Sequence, residues 1–240
     1  FFTVMTCGMS TVAGSVMIIY ANTLSDIIPG AIGHIVVGSV LNIVGAIYVS
    51  RIIVPEDSTP TSSDKFEDLG YSSTMDAITR GTQDGLKLAL NIGGMLLVII
   101  SLVALVNGLL ALVKISGEPL SLQRTLGWLF SPLAWLIGVP WSEAQLAGNL
   151  MGSKIVLNEM IAFIELATLG DDLSHSTRVV LLYALCGFAN FGSLGILIGG
   201  LSALVPERKV DYLSLAPKSL ISGNVVTFIT ASLVGLAISI

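Results

Sequence analysis

The 240-residue sequence predicts an all-α polytopic membrane protein in which transmembrane helices are combined with a re-entrant helical hairpin and one broken transmembrane helix. Three observations carry this expectation. Side chains are 53% apolar and only 11% charged, against about 25% charged in soluble domains. Four apolar runs, 1–21, 30–54, 86–113 and 220–240, reach the roughly 20 residues a helix needs to cross a bilayer. Two further apolar stretches are interrupted by polar and helix-breaking residues where a plain span has none. The composition excludes a soluble globular enzyme.

Along the chain, the span 1–21 opens at Phe1 without an initiator Met, a charged leading region or a small-residue cleavage site. It therefore does not read as a signal peptide, and the chain reads as truncated upstream. The span 30–54 carries His34, which either relays protons or is hydrogen-bonded within the bundle. Residues 55–85 form the one extended polar stretch, rich in Ser, Thr, Pro and Asp up to Leu69, and read as a cytoplasmic loop. Near its end, Ser73-Thr74-Met75-Asp76 has the spacing of a helix cap followed by an acid, which predicts a short helix leading into the span 86–113. That third span contains Gly93-Gly94, small residues that allow close helix contact.

From Leu126 to Val139 the chain is apolar for about 14 residues before Pro140-Trp141-Ser142-Glu143, too short a run to cross. The expectation is a re-entrant hairpin over 126–166, with its tip at Val139-Pro140-Trp141 and its second arm from Ala144 to about Leu166. Asn149, Lys154, Asn158 and Glu159 lie on that arm and cannot face lipid without large cost. Non-helical backbone at membrane depth also needs protein or a water-filled cavity around it. Glu143 reads as a cap of the second arm, with a gating or substrate role second. His175 falls in a polar loop and reads as solvated. The segment 178–204 is long enough to span, but Asn190-Phe191-Gly192-Ser193 in its middle predicts a break. A hairpin beside a broken span is the organisation of a transporter with its site near the midplane.

Net charge is −5 with no basic block, which speaks against nucleic-acid partners. Cys7 and Cys186 lie far apart without metal-type spacing, so both read as packing residues rather than as a disulfide or zinc site. With 55–85 placed in the cytoplasm, that side holds Arg51, Lys65, Arg80, Lys87, Arg208, Lys209 and Lys218. The other side holds Lys114, Arg124 and Arg178. Seven against three follows the positive-inside rule. The hairpin and the C-terminus then face outward in a multi-pass protein of the cell (inner or plasma) membrane.

Glu159, a carboxylate in an apolar arm, reads either as a ligand or proton site or as a member of an internal ion pair. Lys154 is the obvious partner, yet five residues apart on one helix the two do not meet well. Asn190 and Ser193 either cap the backbone freed by the break or face a ligand. No nucleophile–base–acid set, H-E-x-x-H, phosphate loop or paired intramembrane aspartates occurs in the sequence. Besides a transporter, the residues leave open a channel or structural membrane subunit and, ranked below these, an intramembrane enzyme.

Four blocks, Thr11-Val12-Ala13-Gly14-Ser15-Val16, Gly138-Val139-Pro140-Trp141-Ser142-Glu143-Ala144, Asn158-Glu159 and Cys186-Gly187-Phe188-Ala189-Asn190-Phe191-Gly192-Ser193, occur in an order that resembles the C-terminal part of the concentrative nucleoside transporter family. The resemblance implies ion-coupled (sodium or proton) symport of nucleosides into the cell by an elevator-like alternating-access mechanism. It also implies a homotrimer in the bilayer, a scaffold that includes 86–113, and two opposed hairpins of which only the outward one lies in this chain. No cofactor beyond the coupling ion is implied. Residue by residue, it places Glu159, Asn190 and Ser193 against the ribose, Phe188 in the same pocket and Val16 near the nucleobase. Thr11 and Val12 correspond to half of a sodium site. Purine or pyrimidine preference and sodium or proton coupling stay open.

Overall fold

The computed structural model describes residues 1–55, 70–115 and 117–238; residues 56–69 of the polar loop, Lys65 among them, lie outside these, as do the last two residues of the span 220–240. Ten α-helices carry the described fold, and the regular strands are the two-residue pair β1 (Lys114–Ile115) and β2 (Glu118–Pro119). Three helical stretches, Phe2–Leu24, Ala31–Ile53 and Pro206–Ile238, are long and apolar enough to cross a membrane.

The first of these is two half-helices. α1 (Phe2–Ser10) stops at an extended Thr11, and α2 (Gly14–Leu24) restarts three residues later. The sequence reading expects an uninterrupted span here, because Thr, Val and Ala all persist in apolar helices and none forces a stop. α3 (Ala31–Ile53) follows Gly30, whose φ of +72° is the left-handed conformation glycine tolerates. α4 (Thr74–Leu110) is 37 residues long and starts where the Ser73 side chain accepts the Asp76 N–H. The expected cap is present, but the helix it opens continues without a stop, so 70–85 is not a loop with a separate short helix.

The hairpin region departs further from expectation, since the chain reverses twice. α5 (Leu122–Leu136) and α6 (Trp141–Val156) are joined at 137–140, where Gly138 has φ +107°. They pack antiparallel at close range: a Cβ on Gly148 would collide with Gly127 O and stand 2.9 Å from Ser131 N. The second reversal lies at 157–158. Asn158 accepts the Ile161 N–H at 2.9 Å and opens α7 (Glu159–Thr168). Leu150 and Ser153 of α6 then face Glu165 and Thr168 of α7 across a shared cavity. The expected second arm, 144–166, is therefore two helices, and Glu159 sits at a turn rather than inside an arm. At 15, 16 and 10 residues, all three helices are shorter than the roughly 20 residues of a full crossing.

α8 (His175–Leu185) and α9 (Phe191–Leu204) are separated by the five non-helical residues 186–190, so the expected break is present but lies upstream of its expected place: of 190–193 only Asn190 is outside the helix, and Phe191, Gly192 and Ser193 form the first turn of α9 behind the Asn190 cap. α10 (Lys209–Ile238) begins upstream of the expected span, so Lys218 belongs to a helix and not to a loop. The core gathers around Tyr20, Ile35, Ala147, Phe163 and Val180, with α10 packed on α1, α3, α8 and α9. Among the described residues α4 packs mainly on α9 and α5. A Cβ on Gly93 or Gly94 would meet open space, so the close contact expected at these glycines is not made within the described chain. Exposed His175 opens α8. Glu143 sits in the first turn of α6 and accepts from the N–H and hydroxyl of Ser174 at 3.2 and 3.1 Å, which ties α6 to the start of α8. Both cysteines are free.

Candidate functional site

Three helices start around one cavity. α2 begins at Gly14 after the first break, α7 at Glu159 behind its Asn158 cap, and α9 at Phe191 behind Asn190. Helix N-termini present unpaired N–H groups and the positive end of the macrodipole. A carboxylate placed there is favoured, and Glu159 occupies the first position of α7.

Glu159 is only 5% exposed. Its Oε1 accepts the Tyr20 hydroxyl at 2.7 Å and its Oε2 accepts Asn190 Nδ2 at 2.8 Å. An ionised carboxylate accepts only, at about four lone-pair sites, so these two bonds do not exhaust it. Asn190 does two things at once. Its amide holds Glu159 while its Oδ1 accepts the Ser193 N–H at 2.7 Å. The capping reading and the site reading of Asn190 thus describe the same side chain. What is capped at Ser193 is the backbone, which leaves its hydroxyl on the cavity wall.

The cavity holds about 510 Å³ and is lined by Gly8, Met9, Val16, Tyr20, Asn158, Glu159, Met160, Phe188, Asn190, Ser193, Ile196 and Leu197. Glu159, Asn190, Ser193, Phe188 and Val16, which the sequence reading names, share this wall. Thr11 and Val12 do not line it. The Thr11 hydroxyl donates to Cys7 O at 2.9 Å, which leaves its lone pairs to accept or ligate, and the Val12 side chain is buried. A hydroxyl beside the carbonyls freed at the break is an oxygen donor set, the type that hard cations take. It makes one side of a coordination shell. No metal-type cluster of His, Cys, Asp and Glu occurs among the described residues.

Three residues that shape the site are absent from the sequence reading: Tyr20, Asn42 and Asn224. Asn42, on α3, donates to Ser10 O at 2.7 Å and to Cys186 O at 3.1 Å. Lys154 is fully buried, and its ammonium donates to Asn224 Oδ1 at 2.6 Å, 5.9 Å from the centre of the Phe228 ring. Asn224 passes the connection on by donating to Ala189 O at 3.0 Å, inside the second break. A lone asparagine within an apolar span is the available signal for Asn42 and Asn224, since polar side chains there bind other helices or freed backbone. His34 Nδ1 lies 2.9 Å from the Tyr183 hydroxyl, a bond within the bundle.

The family model described as "Na+ dependent nucleoside transporter C-terminus" matches residues 34–235. Nucleoside permease NupC of Helicobacter pylori is 39% identical over 246 residues, which cover 100% of this chain and 58% of that protein. Solute carrier family 28 member 3 of Mus musculus is 31% identical over 255 residues, covering 98% of this chain and 36% of that one. Among solved structures, CNTnw in an inward-facing substrate-bound state superposes with a TM-score of 0.81 at 36% identity, and a doubly substituted CNTnw in an outward-facing state with 0.82 at 35%. Each match covers 98% of this chain and 56% of the other. The chain thus spans just over half the length of NupC and of CNTnw. The match over 34–235 and the likeness of the whole described fold lead to one statement: the chain belongs to the Na+ dependent nucleoside transporter family, a family of membrane transporters and not of enzymes.

Proposed function

We propose that the protein to which this chain belongs carries nucleosides into the cell by alternating access. The observation that carries the reading is Glu159. Held by Tyr20 and Asn190, it lies on the wall of a cavity of about 510 Å³ with acceptor capacity to spare, a volume in the roughly 300–1,000 Å³ range of small-molecule sites. An acceptor-only group suits the hydroxyls of a ribose. The Ser193 hydroxyl adds a further polar partner, and Val16, Phe188 and Leu197 supply an apolar wall for the base. A site built around sugar hydroxyls discriminates strongly against analogues that lack them, because its own polar groups are then left unpaired.

The re-entrant hairpin in this reading is α6 with α7, its tip at 157–158, since that turn and not the one at 137–140 delivers Glu159 to the cavity. Sodium is the coupling ion we favour, with the Thr11 hydroxyl and the Val12 carbonyl on one side of it. The two facing states in which CNTnw has been solved support alternating access, and an elevator-like shift of hairpin and broken helices past α4 is the form we assign to it. A homotrimer in the cell membrane fits α4, whose Leu90, Leu97, Leu102, Leu105 and Leu109 are exposed within this chain.

Uptake of labelled uridine and adenosine by vesicles holding the complete protein tests the proposal. Glu159→Gln removes a hydrogen bond to a charged group, worth about 1.5–3 kcal/mol, and affinity should fall roughly tenfold to a hundredfold. Unchanged uptake by this variant, at normal expression, overturns the role of Glu159.

A further inference from the structure

The two helix breaks touch. Gly187, in the second break, lies so close to Ser10 at the edge of the first that an added Cβ would stand 2.8 Å from Ser10 O and 3.1 Å from Ser10 C. Beside this contact, the Asn42 carboxamide donates to Ser10 O at 2.7 Å and to Cys186 O at 3.1 Å, and its own oxygen accepts the Thr230 hydroxyl at 2.6 Å. Asn42 has no exposed surface, and both of its N–H donors are used. Ser10 closes α1 and Cys186 follows α8 directly, so the two carbonyls are among those that a helix end leaves without intrahelical partners. One side chain on an unbroken helix therefore completes the ends of two broken ones.

A hydroxyl on the same turn satisfies a single carbonyl, as Thr11 does for Cys7 O. Joining two carbonyls from different helices takes two donors at fixed spacing, which a carboxamide has and a hydroxyl lacks. Ser10 adjoins Thr11 and Val12, and Cys186 leads into Phe188 and Asn190. We infer that Asn42 is the positioning residue that couples the ion to the nucleoside. It holds the two breaks in one relative position, so that a cation at Thr11 and Val12 sets the orientation of the sugar-binding groups at the second break. The inference rests on the transport reading above. Asn42 is not part of the cavity wall; it acts through Ser10 O and Cys186 O.

The test uses the complete protein and measures uridine and adenosine affinity by calorimetry without sodium and at saturating sodium, together with the unfolding midpoint. In the wild type, sodium should raise nucleoside affinity by a factor within the roughly 5- to 150-fold range of coupled sites. In Asn42→Ala that factor should fall toward one, while affinity in the absence of sodium changes far less. Thr230→Ala keeps both donors but frees the carboxamide to rotate, and should give an intermediate factor. A lowered unfolding midpoint with the sodium effect intact would assign Asn42 a merely structural role and overturn the inference. Where Asn42→Ala does not fold, an undiminished factor in Thr230→Ala overturns it equally. Wild-type protein that binds neither nucleoside overturns the transport reading itself. Wild-type protein that binds nucleoside without responding to sodium overturns the assignment of Thr11 and Val12, and this inference with it.

Discussion

Asn190 donates to Glu159 Oε2 at 2.8 Å while its carbonyl oxygen caps α9 at the Ser193 N–H, 2.7 Å away. The acid of the cavity is thus anchored to the start of a half-helix, and any movement of α9 relative to α7 is felt at Glu159. Ser193 and Asn190 consequently predict different phenotypes although they sit three residues apart on the same wall.

Ser193→Ala leaves the cap intact, because the capped group is its backbone N–H. It removes a neutral hydrogen bond worth about 0.5–1.5 kcal/mol, a roughly two- to tenfold loss of affinity. That loss should appear for ribonucleosides and vanish for analogues lacking the hydroxyl that Ser193 contacts. Asn190→Ala also removes a helix cap, worth about 0.5–2 kcal/mol of stability, and should weaken every nucleoside while lowering the unfolding midpoint. Competition by uridine and its deoxy analogues separates the two; an equal loss for all analogues in Ser193→Ala assigns Ser193 to structure alone.

Tyr20→Phe removes the side-chain donor to Glu159 Oε1 and leaves the ring, which packs tilted against Phe163 at 4.9 Å between centroids, in place. Nucleoside affinity should drop, by less than in Glu159→Gln, because the carboxylate itself stays. The hydroxyl donates to Glu159, so the effects should not add: in a Glu159→Gln background, Tyr20→Phe should cost little more. Residues in one hydrogen-bond network couple by about 0.5–3 kcal/mol, which a double-mutant cycle on uridine affinity resolves. Strict additivity would mean that Tyr20 meets the substrate independently.

What the sequence made readable was set by local chemistry. The break at 186–190 is announced by Asn190, Gly192 and Ser193, which lie at its downstream edge: Asn190 caps α9, and Gly192 and Ser193 belong to the first turn of that helix. The break at 11–13 has no such marker; it is held by Asn42, 32 positions from Ser10, and long-range pairing of this kind leaves no local trace. Pro140 drew the hairpin tip to itself because proline is the stronger breaker. The turn that reaches the cavity depends on Asn158, a good cap that reads equally well as a polar residue within an arm. For Lys154, five-residue spacing correctly argues against a helical ion pair with Glu159, and its actual acceptor, Asn224, lies 70 positions away.

Lys154→Met keeps the aliphatic stem and deletes the donor to Asn224. Asn224 Oδ1 is then buried without a partner, at a cost of about 1–3 kcal/mol, and the link from α6 through Asn224 to Ala189 O is cut. Lys154 does not line the cavity, yet nucleoside affinity should fall because the second break loses its anchor. Calorimetry on the complete protein, with Asn224→Ala as the matching variant, provides the check. Wild-type affinity in both variants would show that the link serves stability only.

The close pairing of α5 and α6 gives a prediction about stability first. At Gly148 an added Cβ meets Gly127 O, Ser131 N and Phe130 C, all backbone atoms, so no side chain can swing aside to make room. Forcing extra volume into such a contact costs about 1–3 kcal/mol, and Gly148→Ala should lower the unfolding midpoint by pushing the two helices apart. Gly81, exposed on α4 with open space around its Cβ position, is the control: Gly81→Ala should raise helix stability by roughly 0.5–1 kcal/mol, the usual gain over glycine within a helix. Differential scanning fluorimetry in detergent reads both shifts. Because neither residue touches the cavity, uridine affinity should stay at the wild-type value in Gly81→Ala. In Gly148→Ala it should fall only as far as separation of α5 and α6 displaces the turn at 157–158. A Gly148→Ala protein as stable as the wild type would mean that the helices do not approach at this glycine.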